Sequence, residues 1–183
     1  ATGPAAGAFT LALSDSKLNA QSITAATVEA ALDAEGQVTF DTRLRLPEGT
    51  TAIAGTARPF ADRPTLELTT GRVEALNVGA LAGQAALDTD LNGTIALQGS
   101  GSTLADLALN GRLQVQDSRI NKAALPEATW QIEAEAGQLQ SDLNARFDVG
   151  TVQAAMNANL ADSTYTLTID ADAFDGAALT AQD

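Results

Sequence analysis

Apolar residues occupy every second position along most of this chain, with polar residues between them. The segment from Gln37 to Leu46 shows the pattern most clearly. Its apolar positions are Val38, Phe40, Leu44 and Leu46, and its polar positions are Gln37, Thr39, Asp41, Arg43 and Arg45. Successive side chains of a β-strand point to opposite faces, so the pattern predicts a sheet with one apolar and one polar face.

The alternation recurs with a spacing of about ten residues, and Gly, Asp or Pro residues separate the copies. The apolar sets are Phe9–Leu13, Ala26–Leu32, Val38–Leu46, Ile53–Ala57, Leu66–Leu68, Leu91–Leu97, Leu109–Val115, Ala128–Ala136, Leu143–Val149, Val152–Leu160 and Tyr165–Ala173. Strands joined by such short turns form an antiparallel meander. We find no internal boundary, and residues 1–183 are interpreted as one all-β segment.

Three stretches depart from simple alternation. The strand that opens with Leu66 and Leu68 is expected to break at Thr70-Gly71. One helical turn is expected between Gly79 and Gly83. A second short helix is expected over Thr103–Leu107, with Ser102 or Thr103 as its N-cap.

Two short segments resemble each other. Leu91-Asn92-Gly93 and Leu109-Asn110-Gly111 each introduce a strand with alternating apolar residues. Glycine inside a strand relieves crowding or permits a bend. The two segments therefore suggest internal repetition and mark positions where the sheet could curve, although Asn-Gly is also common near turns.

The composition argues against several classes of binding partner. The 183 residues are 45% apolar but only 4% aromatic, and the net charge is −13. Phosphate contacts need Lys and Arg, so the charge argues against nucleic acid as a partner and against adhesion to an anionic lipid surface. No apolar run reaches the length of about 18 residues that a membrane-spanning helix requires. The first residues lack both an initiator Met and a leader pattern, and we interpret the chain as a piece of a longer repetitive β protein.

The residue types present do not support a catalytic function. The chain contains neither His nor Cys, which excludes disulfides and His- or Cys-dependent nucleophilic catalysis. The carboxylates lie mostly on polar faces and in turns, where solvated charge is ordinary. We therefore expect no enzymatic activity and no cofactor.

A calcium loop is one alternative. Asp88-Thr89-Asp90-Leu91-Asn92-Gly93 matches the opening of an EF-hand loop. The twelve-residue spacing, however, places Gly99 where a bidentate Glu is needed, and no flanking helices are expected. No metal site is therefore predicted.

Residues 90–101 read Asp-Leu-Asn-Gly-Thr-Ile-Ala-Leu-Gln-Gly-Ser-Gly, a strand punctuated by glycine. This segment resembles a strand of the TamB/AsmA-like proteins of bacterial envelopes. The helical link expected at Thr103–Leu107 and the strand Leu109–Ile120 follow in the family's order, and Val73–Leu81 resembles its lead-in. The resemblance covers roughly residues 60–183, and the family's membrane anchor and carboxy-terminal domain are not evident.

The resemblance implies a long sheet folded lengthwise into a U, a β-taco, with an apolar inner groove. It further implies a periplasmic location, with an inner-membrane anchor in the full-length protein, and a bridge between the two membranes. The expected function is phospholipid transport, outer-membrane protein assembly, or both. Expected partners are phospholipid acyl chains, flanking segments of the same chain and an outer-membrane assembly-type barrel protein.

The alternating apolar residues are the candidates for lining such a groove. They are Val38, Phe40, Leu44, Leu66, Leu68, Leu91, Ile95, Leu97, Leu113, Val115, Trp130, Ile132, Leu143, Phe147, Val152, Met156, Leu160, Leu167 and Ile169. The alternative is that they form the closed core of a sandwich, barrel or solenoid. The protein would then be a structural or adhesive domain of a bacterial surface protein, with its function at the loops.

Overall fold

The structure, a computed structural model, describes residues 6–18, 21–84, 86–175 and 177. Eleven antiparallel strands form one sheet in which each strand pairs with its neighbours in the chain, from β1 to β11 in order. The meander predicted by the alternation is confirmed.

The elements follow one another with short connections. Their bounds are β1 Gly7–Leu18, β2 Gln21–Leu32, β3 Val38–Leu46, β4 Gly49–Arg58, β5 Thr65–Leu76, α1 Val78–Leu81, β6 Thr89–Ser100, β7 Ala108–Ile120, β8 Ala123–Glu135, β9 Gln138–Phe147, β10 Gly150–Asn159 and β11 Thr164–Asp172.

The strand register aligns the apolar positions of neighbouring strands. One line of directly paired residues crosses the whole sheet: Phe9, Ala30, Phe40, Gly55, Leu68, Leu97, Gly111, Ile132, Ser141, Met156 and Leu167. Paired residues lie side by side on the same face. A polar line on the opposite face runs from Ala12 through Arg43, Arg72 and Gln114 to Asp170.

The described sheet is open. No described strand pairs with the outer edge of β1 or β11. Among the described elements, extensive close backbone contact joins only strands that follow each other in the chain, and α1 approaches β6 at a few residues. The closed sandwich, barrel or solenoid considered from the sequence is therefore wrong for this part of the chain. An open sheet also explains why no large side chain among the described residues is fully buried.

A cluster of buried apolar residues lies toward one end of strands β7–β9. Val115, Leu125, Ala128 and Ala145 form a buried cluster there, with Phe147 packed against it. After β11 the chain turns back over this end, and the ring of Phe174 meets that of Phe147 edge-on at a centroid distance of 5.4 Å. This cluster buries apolar surface at one end of these strands and leaves most of the sheet uncovered.

The break expected at Thr70-Gly71 is wrong, because β5 continues to Leu76. The register between β4 and β5 instead shifts by one residue between Ala54 and Gly55. The bulge absorbs the extra residue, so Leu68 and Val73 lie on the same face although an odd number of positions separates them. Such a register shift interrupts the alternation of apolar and polar residues in the sequence, and the interruption looks like the end of a strand.

The helix expected over Thr103–Leu107 is also wrong, because these residues form a turn. The carboxylate of Asp106 closes the turn by accepting hydrogen bonds from the backbone N–H groups of Ser102 and Thr103 and from the Thr103 hydroxyl. The hydrogen bond from the Thr103 hydroxyl lowers the pKa of the Asp106 carboxyl the most, and those from the two N–H groups lower it further, to about 2. A side chain that binds backbone donors competes with a helix for the same groups.

The helical turn expected between Gly79 and Gly83 is found as α1. Asn77 caps it by accepting a hydrogen bond from the N–H of Ala80 at 2.9 Å. Within the described residues, α1 is the one helical link between strands, where the sequence suggested one or two.

Candidate functional site: the apolar rows

Four lines of paired residues run across one face of the sheet, and we call them the apolar rows. Besides the row from Phe9 to Leu167, one runs from Gly7 to Tyr165 and one from Leu13 to Ala171. A fourth, from Leu11 to Ile169, is interrupted only between β5 and β6. The rows contain no charged residue and only a few hydroxyls, so together they present a largely apolar strip.

All but three of the candidate lining residues lie in these rows. Those in the rows are Val38, Phe40, Leu44, Leu66, Leu68, Ile95, Leu97, Leu113, Val115, Trp130, Ile132, Leu143, Val152, Met156, Leu167 and Ile169. Phe147 lies at the end of β9, opposite Gly150. Leu91 pairs with Leu76 beyond a second register shift, and Leu160 follows β10, where its N–H binds the carbonyl of Gly137.

A cleft of about 400 Å³ lies on the apolar face across strands β7–β11. Its lining residues are Leu113, Trp130, Ser141, Leu143, Ala154, Met156 and Leu167. This volume lies within the range of small-molecule sites, roughly 300–1,000 Å³. The lining is almost entirely hydrocarbon, which suits an apolar ligand without directional contacts.

Trp130 and Ser141 form a polar contact within the cleft. The indole Nε1–H of Trp130 donates to the Ser141 hydroxyl at 2.7 Å. Trp130 is 41% exposed, so apolar surface of the residue stays accessible while its polar side-chain atom is satisfied. Ser141 and Ala154 also line the cleft, although neither is among the lining residues predicted from the sequence. Their places in the alternation of β9 and β10 could have indicated them.

Most of the large apolar side chains that remain exposed belong to the apolar rows. Phe9, Trp130, Tyr165, Leu167 and Ile169 are all more than two-fifths exposed. Large contiguous apolar surface on a protein usually marks an interaction site. The exposure rises toward β1 and β11, because these strands have a described neighbour on one side only.

The charged groups lie away from the rows. Ion pairs join Arg43 to Asp41 and Arg72 to Glu74 at 3.1 and 2.7 Å, both at exposed side chains. Pairs of this kind contribute about 1 kcal/mol or less each to folding. The described charged side chains thus lie outside the apolar rows, which stay neutral.

The residues that resemble a calcium loop hold the fold together instead. The Asp88 carboxylate accepts a hydrogen bond from the Asn77 amide and pairs with Arg119 at 2.9 Å. Asp90 accepts one from the Asn92 amide. The described residues include no group of three or more Asp or Glu residues placed to hold a metal ion.

No family model, curated protein or solved structure matches the chain. Within the described residues, no helix has the length and apolar character needed to cross a bilayer. The apolar rows are thus the feature from which a function can be argued.

Proposed function

We propose that the chain is a segment of a TamB/AsmA-like bridge that carries phospholipid between the two membranes of a bacterial envelope. The acyl chains would lie along the apolar rows. In this proposal the sheet curls lengthwise into a U, and the rows form its inner groove. The exposed, uncharged surface from β1 to β11 is the observation that carries the proposal.

The energetics favour an acyl chain as the occupant. Exposing a chain of about 16 carbons to water costs roughly 0.8 kcal/mol per methylene, or roughly 12 kcal/mol in all. Aliphatic side chains remove most of this cost without a specific geometry. A uniform lining therefore holds lipid and still lets it move, whereas deep anchoring pockets would retain it.

The arrangement of polar groups supports the same occupant. The hydroxyls within the rows are few, and Ser141 is already engaged by Trp130. Without described charges in the rows, a phospholipid head group would stay at the open side of the sheet, in water. Flanking segments and an outer-membrane barrel protein are proposed as partners on the resemblance alone, as are the periplasmic location and a role in outer-membrane protein assembly.

Native mass spectrometry of the chain purified from a bacterial host tests this proposal. We expect additional masses that correspond to bound diacyl phospholipid and that disappear after delipidation. Phospholipids with brominated acyl chains should then quench the fluorescence of Trp130, the single tryptophan. A lipid-free chain with unquenched fluorescence would contradict acyl-chain binding and favour a structural domain.

A further inference from the structure

The two halves of the sheet have the same kinks at equivalent places. Asp15 in β1 and Asp117 in β7 both have a φ of 45°, in the left-handed region. Ala75 in β5 and Ala173, directly after β11, have φ values of 50° and 49°. Non-glycine residues rarely adopt this conformation. Strands β1–β5 therefore correspond to strands β7–β11.

The hydrogen bonds repeat with the kinks. The Ser16 hydroxyl donates to the carbonyl of Ser14 at 2.9 Å, and the Ser118 hydroxyl donates to that of Gln116 at the same distance. The sequence repeats here as well, since Asp-Ser-Lys-Leu-Asn at 15–19 corresponds to Asp-Ser-Arg-Ile-Asn at 117–121.

Backbone hydrogen bonds near Ala75 and Ala173 also repeat between the two halves. The N–H of Asn77 binds the carbonyl of Glu48, and the N–H of Asp175 binds that of Val149, at 2.7 and 2.9 Å. A Cβ on Gly49 would lie 2.5 Å from the carbonyl oxygen of Ala75, and one on Gly150 would lie 2.5 Å from that of Ala173.

Strand β6 joins the halves, and Asn92 makes the connection. Its side-chain oxygen accepts a hydrogen bond from the N–H of Ala75 at 2.9 Å, and its amide nitrogen donates to the carbonyl of Asp117 at 3.1 Å. Its backbone N–H donates to the Ser118 hydroxyl at 2.8 Å. One asparagine thus satisfies polar groups at the kinks of both neighbouring strands.

Two residues beside Asn92, Asp90 and Gly93, are also constrained by their surroundings. Asp90 accepts a hydrogen bond from the amide of Asn92 at 3.2 Å and so orients it. A Cβ at the next residue, Gly93, would lie 2.4 Å from the carbonyl oxygen of Gln114. These contacts therefore favour the sequence Asp-x-Asn-Gly at the position between a β5-type and a β7-type strand.

Each outer edge of the described sheet presents half of this site. The edge of β11 presents Ala173, the counterpart of Ala75, and the edge of β1 presents Asp15 and Ser16, the counterparts of Asp117 and Ser118. Burial shows the effect of a neighbouring strand. Val115, beside β6, is 8% exposed, whereas its counterpart Leu13 is 36% exposed.

We propose that both outer edges bind an extended peptide strand that carries Asp-x-Asn-Gly, as β6 does. The backbone of the added strand pairs with the edge, and its asparagine binds the kink. The side chains of its apolar positions extend the apolar rows by one strand. This proposal does not depend on lipid binding.

Disulfide trapping tests the docking and its register, because the chain has no cysteine of its own. The probe is a synthetic peptide of residues 87–101 with cysteine in place of Thr94. Thr94 pairs with Arg72 and Gln114, whose counterparts at the free edges are Asp170 and Ala12. Paired Cα atoms across strands are about 4.5–5.5 Å apart, within reach of a disulfide.

We expect the peptide to cross-link to the variants Ala12→Cys and Asp170→Cys. The yield should exceed by about tenfold that of Gln153→Cys, which lies in the same line but on the inner strand β10. Thr10→Cys and Thr168→Cys, two residues out of register, should cross-link as weakly as this control. Replacement of the peptide's asparagine by alanine should reduce trapping about tenfold.

Equal yields at the edge and inner positions would overturn the proposal. So would equal trapping by the alanine peptide, since the edges would then accept any strand. Disulfide-linked dimers of the protein that persist in excess peptide would show that the edges bind each other in a second copy instead.

Discussion

Replacement of Gly55 by alanine is expected to destabilise the fold by about 2 kcal/mol or more. Gly55 lies in β4 at the register shift against β5, and a Cβ there would lie 2.1 Å from the carbonyl oxygen of Glu67. The carbonyl is backbone, so it cannot move without loss of pairing between the two strands. The free energy of unfolding from urea denaturation measures the effect.

Gly7→Ala is the matched control for this substitution. Gly7 also lies in an apolar row, but nothing lies within 4 Å of a Cβ built there. Its effect should stay within about 0.5 kcal/mol. Equal stabilities of the two variants would show that the close approach at Gly55 does not constrain the sheet.

Introduction of a charge into the apolar rows is expected to abolish lipid binding without unfolding the chain. Leu167 is 52% exposed and pairs with Met156 beside the cleft. A glutamate at position 167 can remain hydrated in the free protein, but an acyl chain in the cleft would remove its water. We expect Leu167→Glu to weaken quenching of Trp130 by brominated phospholipid at least about tenfold, with little change in melting temperature.

Thr168→Glu adds the same charge at the next residue of β11. Thr168 pairs with Ala155 on the polar face, so binding should be retained. If both variants bound lipid equally, the binding surface would not be the apolar rows. If Leu167→Glu unfolded the chain, this residue would belong to a closed core.

The strand pattern could be predicted from the sequence because one rule, alternation with a period of two, governs it. Val38, Phe40 and Leu44 lie in the apolar rows as that rule requires. The rule fails at bulges and kinks, where an additional or left-handed residue changes the phase. The Thr70-Gly71 region was therefore misread as a break, although β5 passes through it.

Side-chain hydrogen bonds limited the rest of the prediction. The turn at Ser102–Asp106 depends on a carboxylate that captures backbone donors, and apolar periodicity carries no such signal. The similarity of Leu91-Asn92-Gly93 to Leu109-Asn110-Gly111 suggested repetition, but the two segments have different roles. Asn92 bridges two kinks, whereas Asn110 pairs regularly with Gln98 and Glu133.

The repeat of about one hundred residues escaped sequence analysis because few residue types persist between the halves. Asp15-Ser16 and Asp117-Ser118 are the clearest common residues, and both occur at left-handed kinks. Backbone geometry, rather than side-chain identity, is what the two halves share most.

Met156 provides the most direct test of whether an acyl chain occupies the apolar face. It is the single methionine of the chain and lines the cleft, so ¹³C-methyl methionine labelling gives one NMR signal from this surface. Addition of a phospholipid with a nitroxide on its acyl chain should shift and broaden this signal, and reduction of the nitroxide should restore its intensity. An unchanged Met156 signal at saturating lipid would contradict the account, because the hydrocarbon would then lie elsewhere or not bind at all.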